Sequence, residues 1–183
     1  MTSEEYSYEL KIPKDRIAVL IGKNGDVKKA IEENTKTKLQ IDSKEGDVII
    51  SGNDAINLFT TREIIKAIAR GFNPELAQQL LKTDYVLETI SMNDYAGKSK
   101  DAAQRLKGRV IGKEGKTRTI IEELTDTNVS VYGKTISIIG LPENTSIARK
   151  AVENLLKGSQ HSNVYRWLEK RRSINNMQEL DKP

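Results

Sequence analysis

The sequence predicts an α+β fold made of two similar units, each running strand, helix, helix, strand, strand, helix around a three-stranded antiparallel sheet. Three observations lead there. The chain repeats itself at a shift of ninety residues: Ile21-Gly22-Lys23-Asn24-Gly25 lies over Ile111-Gly112-Lys113-Glu114-Gly115, Ile31 over Ile121, Thr35 over Thr125, Thr37 over Thr127, Leu39 over Val129 and Ile41 over Val131. Gly52 and Gly140 then match at eighty-eight, because the second copy has a loop two residues shorter. Self-similarity of this length outranks any single motif. Both copies also alternate between period-two and helical apolar spacing in the same order. Finally, each places a glycine-bracketed loop between two helices, where a residue without Cβ permits a tight turn and a close approach.

In chain order, Tyr6, Tyr8, Leu10 and Ile12 alternate with Ser7, Glu9 and Lys11 as a half-buried strand does, and Pro13 closes it. Residues 15–21 form a short helix into the first glycine loop. A second helix covers 26–35, with Val27, Ala30 and Ile31 inward. Thr37, Leu39 and Ile41 mark a strand, residues 43–46 a turn, and 47–51 the returning strand. A long helix from 52–54 to Gly71 carries Ile56, Phe59, Ile64, Ile65 and Ile68. Asn73 as N-cap and Pro74 in the first turn open a linking helix that ends near Lys82.

The second unit opens with a strand over 84–92. An extra stretch at 93–100 has no counterpart in the first unit, and Ser99 or Asp101 caps the longer helix that follows. Lys107 stands where the first unit has the core residue Ile17, so Leu106 takes over and the helix is rotated or longer. In the helix after the loop, Thr117, Ile120, Ile121 and Leu124 share one face. Strands at 128–132 and 135–139 flank a turn at Gly133. Pro142 opens the last repeat helix, with Ile147, Ala148, Val152, Leu155 and Leu156 inward, and Gly158 ends it. Residues 161–180 read as a further helix in which Val164, Trp167 and Leu168 cluster, His161 packs locally, and Arg171 and Arg172 form a solvated face. The resulting boundaries are 1–72 and 84–158 for the two units, 73–83 for the linking helix and 159–183 for the C-terminal tail.

Composition narrows the chemistry. The chain has no cysteine and one histidine, which excludes disulfides, thiolate metal sites and cysteine nucleophiles and leaves little for histidine catalysis. Charged residues make up 31% against 5% aromatic, and the net charge of +4 is compatible with nucleic acid. No apolar run approaches the ~18 residues of a membrane span, and residues 1–5 lack the basic and apolar parts of a signal peptide, so a cytoplasmic protein is expected. Gly115-Lys116-Thr117 ends like a phosphate-binding P-loop, but GxxxxGK[ST] needs a glycine at Val110, and the loop follows a helix rather than a strand. Glu122 and Glu123 are adjacent and point in different helix directions, so they make no acid–base pair. A nucleotide hydrolase is thereby disfavoured; no catalytic residue, metal or cofactor is expected.

With IGxxG in both copies, the order of elements resembles the type I KH RNA-binding module. KGRVIGKEGKTR at 107–118, SVYGKTISIIG at 130–140 and HSNVYRWLEKRR at 161–172 extend the likeness to the archaeal tandem-KH ribosome-assembly proteins, relatives of the eukaryotic factor called partner of Nob one. The resemblance implies binding to the 3′ region of small-subunit ribosomal RNA, and contact with a PIN-domain endonuclease and with the alpha subunit of archaeal initiation factor two. A KH adaptor for messenger RNA or the exosome is the alternative that the fold alone leaves open.

KH loops clamp about four nucleotides by the backbone while unpaired bases lie in a groove. The residues expected to do this are Gly22, Lys23, Asn24 and Gly25 in the first unit. In the second they are Arg109, Val110, Ile111, Gly112, Lys113, Glu114, Gly115, Lys116, Thr117 and Arg118, with Val129, Val131 and Tyr132 on the facing strand. Residues 105–134 hold seven basic and four acidic side chains, whereas 15–46 hold seven and six. Asp26 opens the first unit's second helix where Lys116 opens the other, and a carboxylate there competes with phosphate for the same amides. The second unit is therefore expected to be the main RNA site.

Overall fold

Pro13, with no N–H for a sheet ladder, separates the first strand β1 (Tyr6–Lys11) from the first helix α1 (Lys14–Ile21). After a glycine-bracketed 3₁₀ turn come α2 (Asp26–Thr35), β2 (Lys38–Ile41), β3 (Asp47–Gly52) and α3 (Ala55–Ala69). The Asp54 side chain caps α3 by accepting from the N–H groups of Ile56 and Asn57 at 2.8 and 3.0 Å. This computed structural model describes residues 6–97 and 99–180, with side chains through Ile174. The expectations for residues 1–5, for Lys98 within the extra stretch and for 181–183 lie outside the described residues.

The chain divides into two compact units, Met1–Leu87 and Glu88–Pro183. In the first, the antiparallel sheet has the order β1-β3-β2, with Tyr8 opposite Ile50 and Leu39 opposite the same residue from the other side. Val48 and Ile50 face the helices and meet Leu20, Ile31, Ile64, Ile65 and Ile68 in a core without solvent access. The β2–β3 turn is tied by Asp42, whose carboxylate accepts from the N–H groups of Lys44 and Glu45. Those two donors, Lys44 first, hold its pKa below the usual carboxylate value.

Two expected core positions are surface instead. Ile56 and Phe59 are 74% and 57% exposed, because they lie on the face of α3 opposite the buried Leu58, Thr61, Ile65 and Ile68. There the Arg62 guanidinium stacks over Phe59 at 4.8 Å and over Tyr8 at 5.0 Å.

The linking segment forms α4 (Pro74–Ala77) and continues as a 3₁₀ turn over Gln78–Leu81, with the Asn73 side chain accepting from Leu76 N–H at 2.9 Å. Rather than standing free, it packs into the first unit through Ala77 and Leu80, both buried.

The second unit comprises β4 (Val86–Ser91), α5 (Asn93–Ala96), α6 (Lys100–Ile111), a 3₁₀ turn, α7 (Lys116–Thr125), β5 (Asn128–Tyr132), β6 (Thr135–Gly140), α8 (Pro142–Leu156) and α9 (His161–Leu180). Its sheet order, β4-β6-β5, repeats the first. The extra stretch is the short helix α5, and Ser99 rather than Asp101 caps α6, accepting from Ala102 N–H at 3.2 Å. α6 is longer than α1, and Leu106 packs against the core in place of Lys107. Val164 and Leu168 of α9 belong to the same core as Val110, Ile121, Ile136 and Leu155. The tail is therefore part of the unit.

Candidate nucleic-acid interface

Both glycine loops have the same backbone. Gly22 and Gly112 sit at φ 75 and 76 with ψ near 180°, a region that only glycine occupies readily. A Cβ on Gly112 would lie 2.2 Å from Thr117 Oγ1, and one on Gly22 would lie 2.0 Å from Asp26 Oδ1. The first glycine of each loop is thus demanded by the protein's own packing. The last glycine differs. Gly25 and Gly115 are left-handed at φ 80 and 78, and a Cβ there would meet nothing within 4 Å. Space stays open above them for an incoming chain. Asn24 and Glu114 between the glycines are also left-handed, at φ 56 and 53. Asparagine tolerates this conformation better than glutamate does.

The two loops part company in charge. Lys113 and Lys116 are exposed and make no ion pair among the described residues. Arg118 is held loosely by Glu122 at 3.8 Å. In the first unit Lys23 is exposed, but the Asp26 carboxylate accepts from Val27 N–H at 2.7 Å and occupies the start of α2. An anion approaching that end meets a resident negative charge.

Several expected contacts are corrected by their surroundings. The Arg109 guanidinium is engaged within the protein: its Nε donates to Leu155 O at 2.9 Å and its Nη2 to Ser159 O at 2.5 Å, closing the end of α8. Arg16 does the same to Ile68 and Phe72 at 2.8 and 2.6 Å. The repeat hides this equivalence, since Arg109 lies over Val19 and the two arginines are offset by one helical turn. Val110 and Val129 are buried in the core of the unit, and Thr117 is buried beneath the loop with its hydroxyl bonded to Tyr165. Ile111, Val131 and Tyr132 remain partly exposed and can form its walls. Along with Gly112, Lys113, Glu114, Gly115, Lys116 and Arg118, they make up the accessible set.

Further contacts support the site without belonging to the expected RNA-binding set. Glu122 reaches across to accept from Val129 N–H at 2.8 Å, and Glu32 accepts from Leu39 N–H at 2.7 Å. These carboxylates hold the strand wall against the helix after the loop. Their signal was available: both occur seven residues before the strand residue they bind. α9 also fastens to the site. His161 Nε2 lies 2.9 Å from Arg109 O, Tyr165 Oη is 2.8 Å from Thr117 Oγ1, and Arg172 donates to Glu123 O at 3.0 Å. His161 is thus a long-range contact rather than a local one, and Arg172 closes the end of α7 instead of being wholly solvated. Trp167 is packed against the core with Lys150 and Arg171 over its ring.

Among the described residues no group of three or more His, Asp or Glu side chains is placed to hold a metal ion. No helix among them is long and apolar enough to cross a membrane.

Comparisons with known proteins agree with this geometry. The family described as a eukaryotic-type KH domain of type I matches residues 86–173, and the KH domain family matches residues 7–70. A KH domain-containing protein of Methanocaldococcus jannaschii is 53% identical over 89% of this chain and 73% of its own length. The RNA-binding protein pno-1 of Caenorhabditis briggsae is 30% identical over 89% of this chain, which spans 61% of that protein. Among solved structures, the crystal structure of an a/eIF2alpha–aDim2p–rRNA complex from Pyrococcus horikoshii matches with a TM-score of 0.87 and 48% identity, covering 93% of this chain and 96% of the other.

Proposed function

This chain belongs to the archaeal tandem KH family related to the PNO1 RNA-binding proteins, and from that premise we propose that it binds single-stranded RNA during maturation of the small ribosomal subunit. The clamp is the second glycine loop. The observation that carries this reading is the open space over Gly115 beside two unpaired lysines. Peptide N–H groups at the mouth of α7 and the two ammonium groups attract the phosphates. With the backbone so held, bases lie along Ile111, Val131 and Tyr132, where single-strand edges are accessible and A-form duplex edges are not. Nothing in this mechanism requires bond making; the protein acts by holding RNA.

The ribosomal RNA in the Pyrococcus complex supports ribosomal RNA as the target, with the 3′ region of the small-subunit RNA as the segment proposed, and its a/eIF2alpha supports that subunit as a partner. A PIN-domain endonuclease fits as the enzyme whose substrate is presented, and the cytoplasm as the place. Crosslinking in cell extract followed by sequencing of the attached RNA tests the assignment. Reads concentrated near the 3′ end of the small-subunit ribosomal RNA are expected; reads spread over messenger RNAs would replace ribosome assembly by an adaptor role.

A further inference from the structure

The second glycine loop has a neighbour on the side away from β5. An open pocket of about 520 Å³ lies between α6, the loop, the start of α7 and the first turns of α9. Arg105, Lys113 and Lys116 line it; Arg105 Nε donates to Asp101 O of its own helix at 3.3 Å, whereas Arg109 is held by carbonyls of α8 and the segment after it. The α9 wall is stiff. Tyr165 is held to Thr117, and its ring meets His161 edge-on with centroids 6.1 Å apart. Because carbonyl oxygens only accept, His161 Nε2 carries the hydrogen toward Arg109 O, and Nδ1 is the ring's remaining polar atom.

A second observation concerns the pocket's floor. Gly108 sits inside α6, where glycine costs about 1 kcal/mol relative to alanine. Nothing in the packing demands it, since a Cβ there would meet nothing within 4 Å. Its counterpart at the ninety-residue shift is Ala18. A bare helix backbone facing a cationic hollow suits a ligand that approaches closely. The first unit lacks the α9 wall: at a shift of eighty-seven, Pro74 and Gln78 stand where His161 and Tyr165 do.

We infer that this pocket receives the sugar-phosphate of a nucleotide adjoining those clamped by the second glycine loop, so that α9 and Gly108 lengthen the RNA footprint of the second unit alone. The inference rests on the clamp reading above. It is tested by titrating the full chain with single-stranded oligonucleotides of four, six and eight nucleotides at two salt concentrations. Lengthening from four to six is expected to tighten binding roughly tenfold, the equivalent of one charge-assisted contact of about 1.4 kcal/mol. The salt slope should steepen by about 0.7 per added phosphate contact.

Arg105→Gln and Gly108→Gln should bind the four-nucleotide RNA as the unaltered chain does and lose that gain. Both sites are exposed, so the fold tolerates the changes. Full retention of the gain in both variants, or its absence in the unaltered chain, overturns the pocket. Gly115→Asp reports separately on the clamp, because it should weaken RNA of every length.

Discussion

Two glycines of one loop do different work. Gly112 is enforced by Thr117 pressing on its α-carbon, whereas Gly115 keeps a surface clear for something outside the protein. Glu114 between them is the loop's misfit, a left-handed residue with an acidic side chain at the proposed phosphate clamp. Glu114→Asn should raise thermal stability by roughly 0.5–1 kcal/mol, since asparagine accepts that conformation more easily. It should also tighten RNA binding, which a paired melting and anisotropy measurement reads directly. Arg109 makes the opposite case. A sequence reader counts it among the loop's cations, yet its guanidinium holds two carbonyls. Arg109→Leu should cost about 2–3 kcal/mol of unfolding free energy, measured in urea. The salt dependence of RNA binding by the folded fraction should stay unchanged.

At the scale of elements, α4 and α9 are the same device in two lengths. Both follow a glycine at φ 99, Gly71 or Gly158, and both seal the helical side of their unit. The short version buries Ala77 and Leu80, three apart as a 3₁₀ turn allows; the long one buries Val164 and Leu168, four apart as an α-helix does. Leu168→Ala should therefore destabilise the second unit by about 2–5 kcal/mol, with loss of the near-ultraviolet signal of Trp167 accompanying the transition.

The strands, the paired helices and the glycine loops were legible because alternation, helical spacing and the repeat all agree there. The role of α9 was not, since its contacts with Arg109, Thr117 and Glu123 span about fifty residues of sequence and no local pattern encodes them. Ile56 and Phe59 misled because they are apolar without sharing the face of Leu58, Thr61, Ile65 and Ile68, and hydrophobicity alone does not place a residue inside. Val110 sits next to Ile111 in sequence, yet the pitch of the helix turns it inward; Val129 shares its face of β5 with Val131, which packs at the margin of the same core.

For the molecule as a whole, the repeat supplies two units of one topology and two loops of one backbone conformation, with unequal chemistry around them. Buried threonine pairs, Thr35 with Thr37 and Thr125 with Thr127, are 2.8 Å apart in both units. Glu32 and Glu122 make the same strand contact. What differs is at the surface: Asp26 against Lys116, and the wall that α9 adds beside the second loop. In the proposed mechanism the second loop is the principal grip on unpaired RNA. The most direct test compares Gly115→Asp with Gly25→Asp in binding to a single-stranded RNA at about 50 and 200 mM salt. A carboxylate at either open glycine meets no side chain, and the strain of its left-handed backbone is common to both, so the difference between the variants reports on phosphate. Gly115→Asp should lose much affinity and flatten the salt slope, with a much smaller change for Gly25→Asp; equal losses, or the greater loss at Gly25, would contradict the second loop as the main grip.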